Sequence, residues 1–250
     1  MGSLGVGCTL DKGVTVRVKQ SAKLEVVFND APILFPTVIS VVKTLTTTPI
    51  TVTISSPLPL GFGFGISGAS ALATAFVLND NLKLSKNPSR LIEIAHIAEV
   101  ENKTGLGSVA TQSTGGFLLK IKPGIPTKVK RLPFVGQKLY ATIIGLIETP
   151  KVLQENSIIT RVNKTAKSAL EKIQESKQLS LASILDISLA FSQNSGLLQN
   201  KNVMELIDMI RRAGGHATMA MLGQVVISDI RPPYTKYRIE KLTITDNMLF

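Results

Sequence analysis

Apolar and polar residues alternate or cluster in ways that divide the chain into successive blocks of strands, helices, strands, helices and strands. Residues 13–19 (GVTVRVK) and 24–29 (LEVVFN) alternate β-branched and polar positions, as half-buried strands do. Residues 38–43 suit a short helix or a strand equally, and 50–55 (ITVTIS) form the cleanest alternating strand. The run 69–79 (ASALATAFVLN) is apolar on every side, the signature of a buried helix, and Asn79-Asp80 turns it off. A further helix starts at Pro88, with Asn87 as its cap and Gly105 closing it. Strands follow at 117–123 and 127–134, and another at 139–148 after a domain boundary near residues 135–138. Helical patterns at 157–176, 180–194 and 202–213 come next, the first of them lysine-rich and amphipathic. The uncharged run 213–228 and an alternating tail at 235–245 complete the chain. Strands and helices in separate blocks favour an α+β fold over a doubly wound sheet.

Residues 57–72 (PLPLGFGFGISGASAL) join the cleanest strand to the buried helix. Gly61, Gly63, Gly65 and Gly68 let the backbone turn sharply and approach a ligand closely, and a helix start offers free N–H groups. A phosphate-bearing ligand suits that combination, and so does an ordinary turn between strand and core helix. The GxxxxGK[ST] pattern is absent. G-x-G-x-x-G can be read at Gly63, Gly65 and Gly68, but no acidic residue follows at the ribose distance.

With 44% apolar and 18% charged residues, the chain has the composition of a folded globular protein. The single cysteine, Cys8, excludes an internal disulfide framework and is expected as a small buried hydrophobe. A formal charge of +11 raises nucleic acid as a partner. The basic residues are dispersed, however, densest only over 120–131, and no aromatic RNA-binding motif, zinc module or arginine-rich arm accompanies them. Nucleic acid is therefore not expected, and anionic small substrates account for the charge. Residues 44–79 are uncharged, but prolines and glycines break the run, and its helical part is too short for a bilayer of ~20 residues' span. No membrane association is expected, and without a signal-like N-terminus the expected location is the cytoplasm.

On the second helix, His96 and Glu99 share a face that Lys103 continues. Either Glu99 turns inward toward a cation or partner, or it pairs with Lys103 in water. The glycines Gly105, Gly107, Gly115 and Gly116 bracket small polar residues, which line anion pockets and also fill ordinary turns. The same two options stand for Gly214-Gly215-His216.

Taken in order, PLPLGFGFGISGASAL, AHIAEV, TGLGSVATQSTGG and GGHATMAMLGQVVIS resemble the GHMP kinases, and within that superfamily the archaeal pantoate kinases. The resemblance implies a two-domain α+β fold. Residues 1–135 would be a β-rich nucleotide-binding domain carrying the loop 57–72, and residues 136–250 an α/β sandwich-type domain. It implies phosphoryl transfer from ATP, with Mg²⁺, to the hydroxyl of pantoate, giving 4-phosphopantoate for coenzyme A. The alternatives are another small acceptor, or a weakened nucleotide-binding homologue. Gly61, Gly63, Gly65, Ser67, Gly68 and Ala69 take the triphosphate-binding positions, and Ser67 and Glu99 the Mg²⁺-holding ones. Ser3, His96 and Lys120 match the acceptor site, with Lys120 where an arginine is expected. Ser108 stands at the catalytic aspartate of GLGD, a loss that costs ~10²–10⁴-fold where that group is the general base. Family members carry a PGHITGFF-like segment ahead of the part that MGSLGVG matches. Either an upstream start or an incomplete acceptor pocket is therefore expected. A homodimer is the assembly allowed for.

Overall fold

The computed structural model of the chain describes residues 2–146 and 156–247. The chain separates into two compact units. One holds the chain up to Leu60, then Gly65–Val135 and the tail from Thr245; the other holds Gly61–Phe64 and Gly136–Ile244. The division at Val135/Gly136 is thus crossed by two short segments, so neither unit is one continuous stretch.

The first unit contains β1 (Gly5–Cys8), β2 (Thr15–Gln20), β3 (Glu25–Phe28), β4 (Ala31–Pro32), α1 (Pro36–Leu45), β5 (Ile50–Ser55), α2 (Ile66–Asn81), α3 (Pro88–Glu101), α4 (Ser108–Gln112), β6 (Phe117–Lys122) and β7 (Lys128–Leu132). One sheet runs β2-β5-β3-β4, with β3 parallel to β5; the other runs β1-β6-β7 and is antiparallel. The alternation of β5 sends Ile50, Val52 and Ile54 into the core. Residues 38–43 resolve as helix: Val38, Val41, Val42 and Leu45 repeat every three or four residues, and Pro36 opens the first turn. These pack with Ala71, Leu72, Ala75 and Leu78 of α2 and Leu91, Ile94, Ala95 and Ala98 of α3 into one core. The small residues of α2 let it be buried on several faces, against α1, α3 and β2.

The cap at Asn87 forms as its position predicts, its side chain accepting the Arg90 N–H at 2.9 Å. Two expectations need correcting here. Helix α2 starts at Ile66, so the glycine loop ends earlier than residue 72. Helix α3 stops at Glu101, and left-handed Lys103 (φ 54°), not Gly105, turns the chain away. Cys8 keeps a little exposed surface in β1, yet burial pushes its thiol up to about 12, as suits an inert, hydrophobe-like cysteine.

The second unit contains β8 (Lys138–Leu146), α5 (Asn156–Glu175), α6 (Leu181–Asn194), α7 (Lys201–Arg212), β9 (Ala217–Met219), β10 (Gly223–Ser228) and β11 (Arg238–Thr243). Its antiparallel sheet has the order β11-β8-β10-β9. The expected strand at 139–148 ends, as far as described, at Leu146; its last two residues lie outside the described residues. Val203, Leu206, Ile207 and Ile210 form the apolar stripe of α7 and pack with Leu189, Ala217, Met219 and Val226. Among the described residues no helix is long and apolar enough to cross a membrane.

Candidate active site

The start of α2 is an uncapped helix N-terminus. Gly65 precedes it in the left-handed region (φ 70°), and no side chain caps it. Its carbonyl accepts the Ala69 N–H at 3.1 Å, the first bond of the helix, and the Gln112 side-chain amide at 2.8 Å. The N–H groups of Ile66, Ser67 and Gly68 have no partner within the helix, and together with the helix dipole they favour an anion. Ala69 is thus not among the free donors. Ile66, which was not singled out from sequence, is.

Behind this terminus lies Glu99. It is 0% exposed on α3, which excludes the solvent pair with Lys103. Its Oε2 accepts the Val109 N–H at 3.4 Å, while Oε1 is buried with no hydrogen-bond partner. Two glycines make the space. A Cβ at Gly68 would stand 3.0 Å from Oε1, and one at Gly105 would collide with that oxygen. Gly105 is therefore needed for room beside a carboxylate rather than for helix closure. Burial pushes the Glu99 carboxyl up to about 7. The Val109 N–H, a hydrogen bond with the Ser108 side chain and the charge of Lys120 oppose that rise.

Lys120, in the middle of β6, is also buried, and burial pulls its ammonium down while the charge of Glu99 holds it up. Its Nζ donates to Ser3 Oγ and to the Gly107 carbonyl, each at 3.2 Å. Register explains the meeting, because Lys120 pairs with Gly5 of β1, just after Ser3. A Cβ on Gly107 would strike both Lys120 Nζ and Ser3 Oγ. Two acceptors for three ammonium protons leave capacity for an anionic ligand. His96 is buried on α3, one turn before Glu99 on the same face.

Ser67 joins this group through hydroxyls. Its Oγ donates to Thr37 Oγ1 at 3.2 Å, Thr37 and Thr104 share a hydrogen bond at 2.8 Å, and Thr104 Oγ1 donates to the Glu99 carbonyl at 3.4 Å. Neither threonine was singled out from sequence. Thr37 is a polar residue in an apolar helix stripe, a signal that could have drawn attention to it.

The structure brings Ser3, Gly65, Ser67, Gly68, Glu99, Ser108 and Lys120 into one unit. Gly61 and Gly63 belong to the other, where both are left-handed (φ 88° and 84°). There a Cβ on Gly63 would meet Gly223 and the Met221 carbonyl at 3.2 Å, so this part of the loop packs on the turn before β10. Gly214-Gly215-His216 is a tight connection between α7 and β9. Gly215 has no room for a Cβ beside Ile230, and His216 is held by Asp229 and Asp186. A cleft of about 380 Å³ lined by Asp11, Lys12, Asn29 and Ser55–Pro57 includes none of the predicted site residues.

No group of three metal-binding side chains of His, Cys, Asp or Glu occurs among the described residues. Mg²⁺ does not require one, since it takes hard oxygens and keeps several waters. The orphaned, buried Oε1 of Glu99, cradled by two glycines, fits such a cation.

An uncapped helix start with a buried carboxylate behind it and a buried lysine nearby suits an anion such as phosphate together with a cation. A sequence profile described as "GHMP kinases N terminal domain" matches residues 35–116. The chain is 31% identical over 231 residues to the pantoate kinase of Methanocaldococcus jannaschii, covering 90% of this chain and 82% of that protein. It is 27% identical over 240 residues to the pantoate kinase of Methanospirillum hungatei, covering 89% and 76%. A solved structure described as "Phosphotransferase related to CoA biosynthesis pathway" superposes with a TM-score of 0.81 at 24% identity, over 98% of this chain and 88% of that one, and it shares the fold. The chain belongs to the GHMP kinases. Within that family, the relatives it matches over most of its length are pantoate kinases.

Proposed function

We propose that the chain transfers the γ-phosphoryl group of ATP to the hydroxyl of pantoate, giving 4-phosphopantoate for coenzyme A synthesis in the cytoplasm. The observation that carries this reading is the fully buried Glu99, whose Oε1 has no protein partner and abuts Gly68 at the start of α2. A carboxylate in that position is costly unless a cation joins it.

In this reading the N–H groups of Ile66, Ser67 and Gly68 face the phosphates, and Gly61, Gly63 and Gly65 shape the loop. Ser67 and Glu99 would hold Mg²⁺, which would supply positive charge beside the phosphates. The ammonium of Lys120, steadied by Ser3 and Gly107, takes the acceptor's carboxylate, and His96 lines the acceptor side. Ser108 gives a hydrogen bond to Glu99 but no charge. Phosphoryl transfer rests chiefly on positioning and electrostatics, so a kinase without a carboxylate at 108 is slowed rather than abolished.

Incubation with Mg·ATP and pantoate, with product identified by mass, tests the proposal. Turnover of mevalonate or homoserine and none of pantoate would reassign the acceptor. ATP binding without transfer to any acceptor would mark a weakened homologue. Homodimerisation accompanies the reading and is checked by sedimentation.

A further inference from the structure

We propose that Thr37 is a positioning residue. It takes up the proton of the Ser67 hydroxyl, so that Ser67 meets the nucleotide site only with its lone pairs, as an oxygen ligand for a cation. The inference rests on the kinase reading above and assigns a role to two threonines outside it.

The polarity of the hydroxyl chain carries the argument. Each hydroxyl has one proton to donate and lone pairs to accept. The far end is a backbone carbonyl, Glu99 O, which can only accept, and it takes the Thr104 proton. In the 2.8 Å bond between Thr37 and Thr104 either hydroxyl can be the donor; with the Thr104 proton on the carbonyl, it is Thr37 that donates. Thr37, 0% exposed, then accepts from Ser67, the direction in which the Ser67 contact at 3.2 Å runs. All three protons point away from the start of α2. Ser67 is half-buried there, beside the free N–H groups that suit phosphate, and its own hydroxyl has no proton left to offer. It therefore cannot act as one more phosphate donor. Its lone pairs, like Glu99 Oε1, are available to a hard cation. The hydroxyl chain also ends on the backbone of Glu99, so one path of hydrogen bonds links the elements that carry the two oxygen donors.

The predicted consequence concerns the metal rather than the nucleotide. Replacing Thr37 with valine keeps the shape and frees the Ser67 proton. Groups that orient a metal ligand typically change metal affinity by roughly 10–100-fold when removed. The experiment measures calorimetric binding of a non-hydrolysable ATP analogue with Mg²⁺ and with chelator, and compares the ratio of the two affinities across variants. T37V is expected to shrink that ratio by about tenfold while leaving the metal-free affinity near wild type. T37S, which restores the hydroxyl, is expected to keep the ratio. T104V breaks the same chain one link further on and is expected to shrink it in the same direction, which keeps the test usable should T37V unfold. Adding T37V to S67A should then change the ratio no further, because the two act through one oxygen. An unchanged ratio in both T37V and T104V overturns the proposal. So does a loss of metal-free affinity that matches the loss with metal. A wild-type chain that binds no analogue under either condition overturns the kinase reading and this inference with it.

Discussion

Replacing Glu99 with glutamine should stabilise the metal-free protein in a pH-dependent way while destroying its activity. Burial raises the Glu99 carboxyl from 4.5 to about 7, so the folded state binds a proton more tightly than the unfolded chain does. Stability from this group is greatest below the unfolded pKa and is lost as pH rises from there through the folded pKa. At about 1.4 kcal/mol for each tenfold change in proton affinity, the loss amounts to about 3 kcal/mol by pH 8. The amide of glutamine has no such proton to lose. Urea unfolding with a chelator should therefore show wild type and E99Q nearly matched near pH 4, and E99Q ahead by up to about 3 kcal/mol near pH 8. Lys120 limits the gain, because its buried ammonium loses a compensating charge in the variant. Mg²⁺ with an ATP analogue should close the gap by stabilising only the wild type. A wild-type–variant difference that is the same at both pH values would refute the claim that Glu99 is a strained, cation-seeking carboxylate.

Gly105→Ala places a methyl group against Glu99 Oε1, and overpacking of that kind costs typically ~1–3 kcal/mol; thermal melting and turnover should fall together, and retained activity would show that the carboxylate can sit elsewhere. Lys120→Met should raise KM for pantoate by roughly 10–100-fold, the worth of a charged hydrogen bond, with KM for ATP unchanged; steady-state kinetics decides it. Ser108→Asp should raise kcat with Mg²⁺ present, and in chelator it should lower stability near pH 8 by setting a second carboxylate beside Glu99. A variant with neither change would mean residue 108 lies away from the chemistry. Asn87→Ala should cost about 1 kcal/mol in urea unfolding with no effect on kinetics, since the cap it removes serves α3 alone.

The elements that could be read from sequence are those with a local cause. Asn87-Pro88 caps and opens α3, Ser180 and Ser183 form a capping box at α6, and the alternation of ITVTIS is the alternation of burial in β5. Residues 38–43 stayed open because β-branched residues suit both helix and strand, and only packing against α2 and α3 decides between them. The start of α2 was placed late because Gly65 and Gly68 read as loop, whereas Gly68 is a helical residue that leaves room for Glu99. The site followed the same rule. Glu99 and Ser67 could be found from the motifs around them. Thr37 offered only its polarity within an apolar stripe and Thr104 no signal at all, because their role exists only where α1, α2 and the turn after α3 come together. The segment Gly5–Cys8 is four residues with two glycines and carried no strand signal; pairing with β6 creates it.

The tail at Thr245 sets an order on folding. Its N–H donates to the Thr9 carbonyl and its own carbonyl accepts from Gly116, and Gly115 lies so close to the Asp246 carbonyl that a Cβ there would meet it at 2.5 Å. These partners all belong to the first unit, yet Thr245 is synthesised only after the whole of Gly136–Ile244. A ribosome that has made residues up to Val135 has made a unit with a seam still open, its Thr9 carbonyl and Gly116 N–H waiting. The usual sequence, in which an N-terminal domain completes itself before the next one emerges, is closed to this chain. Its first unit is the last to be finished, and a fragment cut at Val135 would never be finished at all.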